Sequence, residues 1–367
     1  MRAAIRGTGS YLPEQVLTND DLEAMTDDFD RERSGCTLDE WVSERIGVSS
    51  RHRAAPDEGC ALMAIEASKL ALDDAGITGA DLDLIVLATF TSDHRLPQSI
   101  SVVQHVLDSQ AKCVQLDAAC AGFVDAVGVA GGLMQSMGYQ NVLVVHSEIV
   151  SVLLDPRKFL MQAIFGDGAG AVVLQSTEQE GEGLLALEMF TDGSKCDWVH
   201  AGGGSLSPAS TETFDDGTYY LDIDSKAIFP FAVARMAESL TSVVEKAGRR
   251  VADVDWVIAH QTGANITKGV AEQVGLDLDR FLMTLDHTGN TSGATIPVAL
   301  DLFNRRGQLA EGDFIVMPTV GAGMAWGAFC VDWVETAAGR RARTRQEDDL
   351  VIDLSDSSRP ADPVLVR

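Results

Sequence analysis

Two windows of this chain read as one segment written twice. The stretch "DDAGITGADLDLIVLATF", from Asp73, aligns without a gap on "EKAGRRVADVDWVIAHQT", from Glu245. Ala75 and Gly76 meet Ala247 and Gly248, Asp81 meets Asp253, and Asp83 meets Asp255. Each copy predicts a helix stopped by glycine, a short loop, and a buried strand of aliphatic residues. Further along, "VQLDAACAGFVDAVGVA" matches "MTLDHTGNTSGATIPVAL". Each predicts a strand ending in Leu-Asp, a turn of small residues, and a helix. Both halves then close on glycine-rich strands, "FGDGAGAVVL" and "VGAGMAWGAFCV". Three matches in one order predict two similar α/β halves, roughly 1–176 and 177–335, related by pseudo-twofold symmetry. Residues 18–50 read as a cap inserted in the first half, helical around "LDEWVSERIG". Residues 336–367 are a charged, polar tail, expected to be mobile or loosely docked.

Bulk properties narrow the partners. The net charge of −27 argues against bare nucleic acid, whose phosphates need a basic face. It disfavours an anionic membrane surface for the same reason. No apolar run reaches the length of a membrane span, and "MRAAIRGTGSYLPEQ" has no long apolar core of a signal peptide. A cytoplasmic protein is the expectation. None of the six cysteines forms a C-x-x-C pair, so neither a metal site nor a disulfide framework is expected.

The duplication brings three chemical groups into question. Cys120 follows a strand and opens a helix. His260 ends the strand "DWVIAH". Asn290 sits in "HTGNTSG", at the turn equivalent to the one that carries Cys120. Taken singly, each has a plainer use: a core thiol, a satisfied structural histidine, a turn asparagine. Equivalent strand ends meet near the interface of the halves, where pockets form. There a helix N-terminus favours a thiolate. A histidine and an amide can both donate to a developing oxyanion. The N–H of Cys120 and one from the loop "GAGMAWG", with Gly323 as the contributor, would form a second oxyanion hole.

These motifs identify a family by resemblance. From "GTGSYLPEQVLTNDDLE" to "GAGMAWGAFCVDW" the sequence resembles β-ketoacyl-[acyl carrier protein] synthase III, of the thiolase-like superfamily. The resemblance implies a five-layered α-β-α-β-α fold, a homodimer, and no metal or redox cofactor. It implies that Cys120 takes an acyl group from acyl-CoA. His260 and Asn290 would support decarboxylation of a malonyl thioester, on CoA or a carrier protein, and Gly323 would complete the acyl oxyanion hole. Trp41 and Arg45 match a pair that sandwiches the CoA adenine. Leu96 stands where the family has a phenylalanine that reaches the partner's acyl pocket. The usual "HQAN" is here "HQTGAN": without a gap the family's asparagine falls on Gly263, and with a local shift Asn265 takes its place at the pantetheine. A docking lysine of the family is replaced by Pro230.

Two functions follow. The first is decarboxylative condensation to a β-ketoacyl product in fatty-acid or polyketide biosynthesis. The second is acyl transfer on the same fold, from Cys120 to an alcohol, amine or carrier thiol, without a carbon–carbon bond. A non-catalytic binding role loses ground because all three polar groups are present.

Overall fold

The computed structural model describes residues 2–26, 28–179 and 181–345. The chain opens on β1 (Arg2–Tyr11) and enters a cap. The cap holds β2 (Gln15–Thr18), α1 (Asn19–Met25), α2 (Arg31–Ser34), α3 (Leu38–Arg45) and β3 (Ser50–Arg53), which pairs back on β2. Then come α4 (Cys60–Ala75), β4 (Leu84–Ala88), α5 (Ser99–Val106), β5 (Lys112–Leu116), α6 (Gly122–Met137), β6 (Asn141–Glu148), α7 (Phe159–Ile164) and β7 (Gly168–Thr177). The second half runs β8 (Gly183–Thr191), β9 (Val199–His200), α8 (Thr211–Asp215), β10 (Asp222–Ile223), α9 (Ser225–Lys246), β11 (Trp256–Val257) and α10 (Ala264–Val274). It closes with α11 (Leu285–Thr288), α12 (Thr295–Arg305), β12 (Phe314–Gly321) and β13 (Ala325–Asp332).

The two sheets repeat one topology. The first has the order β1-β7-β6-β4-β5, and the second reads β8-β13-β12-β11. In each, the strand before the glycine-rich strand is parallel to its inner neighbour and antiparallel to the next. The likeness extends to single hydrogen bonds. Asp83 N–H donates to Asn141 O, and its carboxylate accepts from Asn141 N–H. Asp255 N–H donates to Phe314 O, and its carboxylate accepts from Phe314 N–H. These aspartates set the register at the start of the central parallel pair in each sheet.

Alternation along β4 shows why the layers form. Leu84, Val86 and Ala88 face one core; Ile85 and Leu87 face another. A strand covered on both faces has to read as a continuous apolar run, and "LIVLA" does. The core between the sheets is filled by α6 and α12, with Phe123, Val127, Ile296 and Phe303 among its members. Helix α4 covers the outer face of the first sheet, and α9 with α10 the outer face of the second. The result is the expected α-β-α-β-α stack. Helix α9 is long and apolar enough to span a membrane by length and composition. Here its Met236, Leu240 and Val244 stripe is buried on the second sheet.

Two expectations are corrected. The strand expected at 283–285 does not form. Gln261 Oε1 accepts the N–H groups of Thr284 and Leu285, at 2.8 and 2.9 Å, which removes them from any ladder. A single parallel bridge, Val257 to Phe281, stands where β5 stands in the first half. The tail from residue 336, expected to be mobile or loosely docked, is firmly docked at its start. Residues 337–345 are helical. Ala338 N–H donates to Asp74 Oδ1, Thr336 accepts from Asn304 Nδ2, and Arg343 holds Leu309 O. Buried polar groups on α4 and α12 thus find their partners in the segment that composition marked as solvent-loving. The rest of that tail lies outside the described residues.

Candidate active site

Cys120 lies in the turn between β5 and α6, two residues before the helix begins. Its carbonyl accepts from Thr319 Oγ1 at 2.9 Å, which ties the turn to β12. Gly321 packs directly over it: a Cβ there would lie 2.6 Å from Ala121 N and 3.0 Å from Cys120 N. Only glycine allows that approach. The thiol accepts a hydrogen bond from Ser292 Oγ at 3.4 Å. Burial pushes the thiol up to about 11, with the Ser292 bond pulling the other way. The expectation of a ready thiolate is therefore corrected. Desolvation favours the neutral thiol, so its proton needs a base.

His260 follows β11, and its N–H donates to Pro318 O. The ring is fully buried, and desolvation, with the nearby His146, brings it down to about 3. It is neutral at any physiological pH. Nδ1 meets Thr295 Oγ1 at 2.8 Å; Nε2 has no partner among the described residues. The hydroxyl of Thr295 also lies 3.0 Å from Ser292 O. Its single proton has two destinations. Donated to Ser292 O, it leaves the proton on Nδ1 and a lone pair on Nε2, a base. Donated to Nδ1, it leaves Nε2–H, a donor to an oxyanion. The hydroxyl can thus turn to suit either tautomer, while the ring proton itself changes nitrogen by exchange with solvent.

Asn290 sits before the turn that starts α12. Its N–H donates to Ile164 O and its carbonyl accepts from Gly166 N–H, so the backbone is clamped to the end of α7. Ser292 N–H donates to its Oδ1 at 2.8 Å. That fixes the amide orientation and leaves Nδ2 as the donor.

Cys120 and Asn290 open on one cavity of about 540 Å³. Its inner wall is apolar: Phe90, Val150, Ile164, Leu221 and Ile223. Trp41, Arg45 and Asn265 line it too. Arg45 lies over the Trp41 ring at 5.0 Å, short of the ~7 Å needed to admit another ring between two faces. The guanidinium stacks on the indole, and both side chains stand at the cavity. Asn265 Nδ2 donates to Arg45 O at 2.8 Å, so this amide braces the cap against α10. Gly323 does not line the cavity, whereas Gly321, Ala322 and Met324 do. The loop donor expected from Gly323 is better placed at Ala322, because β12 runs its last residues against Cys120. Leu96 is also absent from the lining and is 86% exposed.

Comparison with known proteins identifies this arrangement. A β-ketoacyl-[acyl-carrier-protein] synthase III of Cereibacter sphaeroides is 38% identical over 338 residues, covering 91% of this chain and 99% of the relative. The chain belongs to the β-ketoacyl-[acyl-carrier-protein] synthase III family. A namesake from Desulfitobacterium hafniense is 38% identical over 331 residues, 90% of this chain and 97% of its own. Profiles described as 3-oxoacyl-[acyl-carrier-protein (ACP)] synthase III and its C-terminal part match residues 114–193 and 244–333. Among solved structures, the synthase III from Aquifex aeolicus is 34% identical with a TM-score of 0.81, covering 90% of this chain and all of that one. The priming β-ketosynthase of the R1128 polyketide pathway is 29% identical with a TM-score of 0.81, covering 91% and 96%.

Within this synthase III site, sequence reading missed Ser292, Thr295, Gln261 and His146. Ser292 and Thr295 stand two and five residues after Asn290, in the quoted "GNTSGATIPVAL". The signal was that spacing: residues of a tight turn at i+2 and i+5 come back to the same pocket. His146 carried no signal, lying in the apolar run "NVLVVHSE".

Proposed function

We propose that Cys120 is the nucleophile of a decarboxylative condensation, with His260 and Asn290 as its partners. That the chain is an acyl-thioester condensing enzyme of fatty-acid or polyketide biosynthesis follows from its family. The observation that carries the residue assignment is the shared cavity. A thiol and a free amide donor face one apolar-walled space, with a neutral imidazole behind them.

In this reading His260 Nε2 takes the thiol proton as Sγ attacks the carbonyl of an acyl-CoA. The N–H of Cys120 and that of Ala322 receive the oxyanion. The CoA thiolate leaves with the proton from His260. A malonyl thioester then enters, on CoA or a carrier protein. Loss of CO₂ places its electron pair on an enolate, held by Asn290 Nδ2 and, once the ring proton has exchanged from Nδ1 to Nε2 through solvent and the Thr295 hydroxyl has turned to donate to Nδ1, by His260 Nε2–H. The enolate carbon attacks the acyl-cysteine, and the Cys120 thiolate departs. No oxidation state changes beyond the exchange within the substrates, so the scheme draws on no metal or redox cofactor.

A homodimer completes the reading. Leu96 and Leu206, 86% and 99% exposed, are large apolar side chains that a second copy would cover. Leu96 would then reach the partner's acyl pocket.

Intact-mass measurement with a panel of acyl-CoAs tests the first half. We expect an acyl adduct on the wild type and none on Cys120→Ser. Adding a malonyl thioester should release CO₂ and a β-ketoacyl product, and Asn290→Ala should lose both. An ester, amide or exchanged thioester with no CO₂ would replace condensation by simple transfer.

A further inference from the structure

One residue outside the assigned set touches all three of its members. Ser292 donates its hydroxyl to Cys120 Sγ at 3.4 Å. Its N–H donates to Asn290 Oδ1 at 2.8 Å. Its carbonyl lies 3.0 Å from the Thr295 hydroxyl that meets His260 Nδ1. Ser292 is 1% exposed, and its φ is +57°, in the left-handed region that residues with a Cβ seldom enter. Glycine would hold that backbone without strain. The chain keeps a hydroxyl there instead, aimed at the sulfur, and places the glycine one residue later.

We propose that Ser292 is a further catalytic residue, whose hydroxyl donates to the Cys120 sulfur as negative charge develops on it. This rests on the reading of Cys120 as nucleophile. The same donor serves twice. It supports the sulfur as its proton passes to His260 Nε2 and the acyl–sulfur bond forms. It supports it again when that bond breaks and the pair returns to sulfur after carbon–carbon bond formation. The environment makes such a donor necessary. Glu148, buried on β6, opposes a thiolate at Cys120. His146 of the same strand lies against that carboxyl; Asp117, exposed in the turn itself, Asp125 of α6 and neutral His260 are the further titratable groups near it. Among the described residues, the one side-chain hydrogen bond to this sulfur comes from Ser292. A hydrogen bond to a charged group is stronger than one to a neutral group, so the interaction grows as the thiolate forms.

The test is alkylation of Cys120 by iodoacetamide between pH 6 and 10, read on the Cys120 peptide by mass spectrometry. Wild type is compared with Ser292→Ala and Ser292→Gly. Both variants should react about tenfold to a hundredfold more slowly at pH 8, with the rising limb moved up by about one unit or more. The glycine variant relieves the backbone and removes only the hydroxyl, so it guards against a folding defect in the alanine variant. An unchanged limb in both overturns the proposal. So does loss in the alanine variant with wild-type behaviour in the glycine variant, which would assign the effect to backbone geometry. The readout needs no acyl-CoA. If the wild type fails to load an acyl group on Cys120 but the limb still moves, the condensing assignment of Cys120 falls while the role of Ser292 on its sulfur stands.

Discussion

Gly293→Ala should break the site from behind. A Cβ at Gly293 would lie 2.2 Å from Cε1, 2.6 Å from Nδ1 and 2.8 Å from Nε2 of His146. The histidine ring is fully buried and cannot swing into solvent. Its other side meets Gly122, where a Cβ would stand 2.8 Å from Cε1. The ring is thus held between two glycines, one from each of the pseudo-equivalent turns. Restoring ordinary contact asks it to retreat from 2.2 Å to 3.4 Å or more. That motion drives it toward α6 and away from Glu148, 3.2 Å from Nε2.

Overpacking of this kind costs roughly 1–3 kcal/mol, and loosening a buried polar pair adds about 1–3 kcal/mol. We expect Gly293→Ala to lose about 3–5 kcal/mol, a large share of a typical domain's stability. The assay is a double-mutant cycle with His146→Ala, read from denaturant midpoints. His146→Ala alone is costly, because it leaves a cavity and removes one of the groups facing Glu148, which keeps Phe90 N–H and the Thr91 hydroxyl. In that background, however, the added methyl has room and should cost less than about 1 kcal/mol. The coupling energy is then about 2 kcal/mol or more. Equal cost of Gly293→Ala with and without His146 refutes the reasoning, as does a cost under about 1 kcal/mol in the wild type.

Two further expectations follow from the same geometry. Gly321→Ala should abolish acyl loading while leaving most secondary structure, because the methyl lands 2.6 Å from Ala121 N and displaces the Cys120 turn; an acyl adduct forming at wild-type rate would contradict this. His260 gives the chain an acid sensitivity. Its native value of about 3 lies below the ordinary 6.5, so the unfolded chain binds the extra proton between those two values. Stability therefore falls as pH drops through that window, by up to about 1.4 kcal/mol per unit and on the order of 4 kcal/mol in all. His260→Asn should flatten the slope between pH 6.5 and 4 relative to wild type, and parallel curves would remove His260 as the cause.

Much of the fold was written in the repeat. Asp81 and Asp253 are local devices, each accepting from an N–H three residues back, so each is visible in a short window; Asp83 and Asp255 pin strands 58 and 59 residues on, and were legible because the repeat carries them twice. The two turns carrying Cys120 and Asn290 were legible for the same reason. What was hidden depends on residues far apart in sequence. The strand at 283–285 is lost to the side chain of Gln261, more than twenty residues earlier. Asn265, read as a pantetheine contact, spends Nδ2 on a carbonyl 220 residues away. Trp41 and Arg45 were placed correctly at the cavity, yet their stacking on one another follows from the cap's fold, in which Phe29 and Phe159 hold the indole edge-on.

The symmetry also accounts for how the two turns divide the chemistry. A turn ahead of a helix offers free N–H groups and little else, so two identical turns would give two anion sites and no nucleophile. The first turn carries the thiol at the cavity. The second turn has spent its donors inward: Ser292 N–H goes to Asn290, and Ser292 Oγ to Cys120. It thereby projects an amide into the cavity in place of its backbone. The left-handed φ of Ser292 is what turns that hydroxyl back toward the first copy. His146, wedged between Gly122 and Gly293, sets the distance between the copies. The repeat supplies two equivalent places, and the Ser292 contacts to Cys120 and Asn290 tie the second to the first.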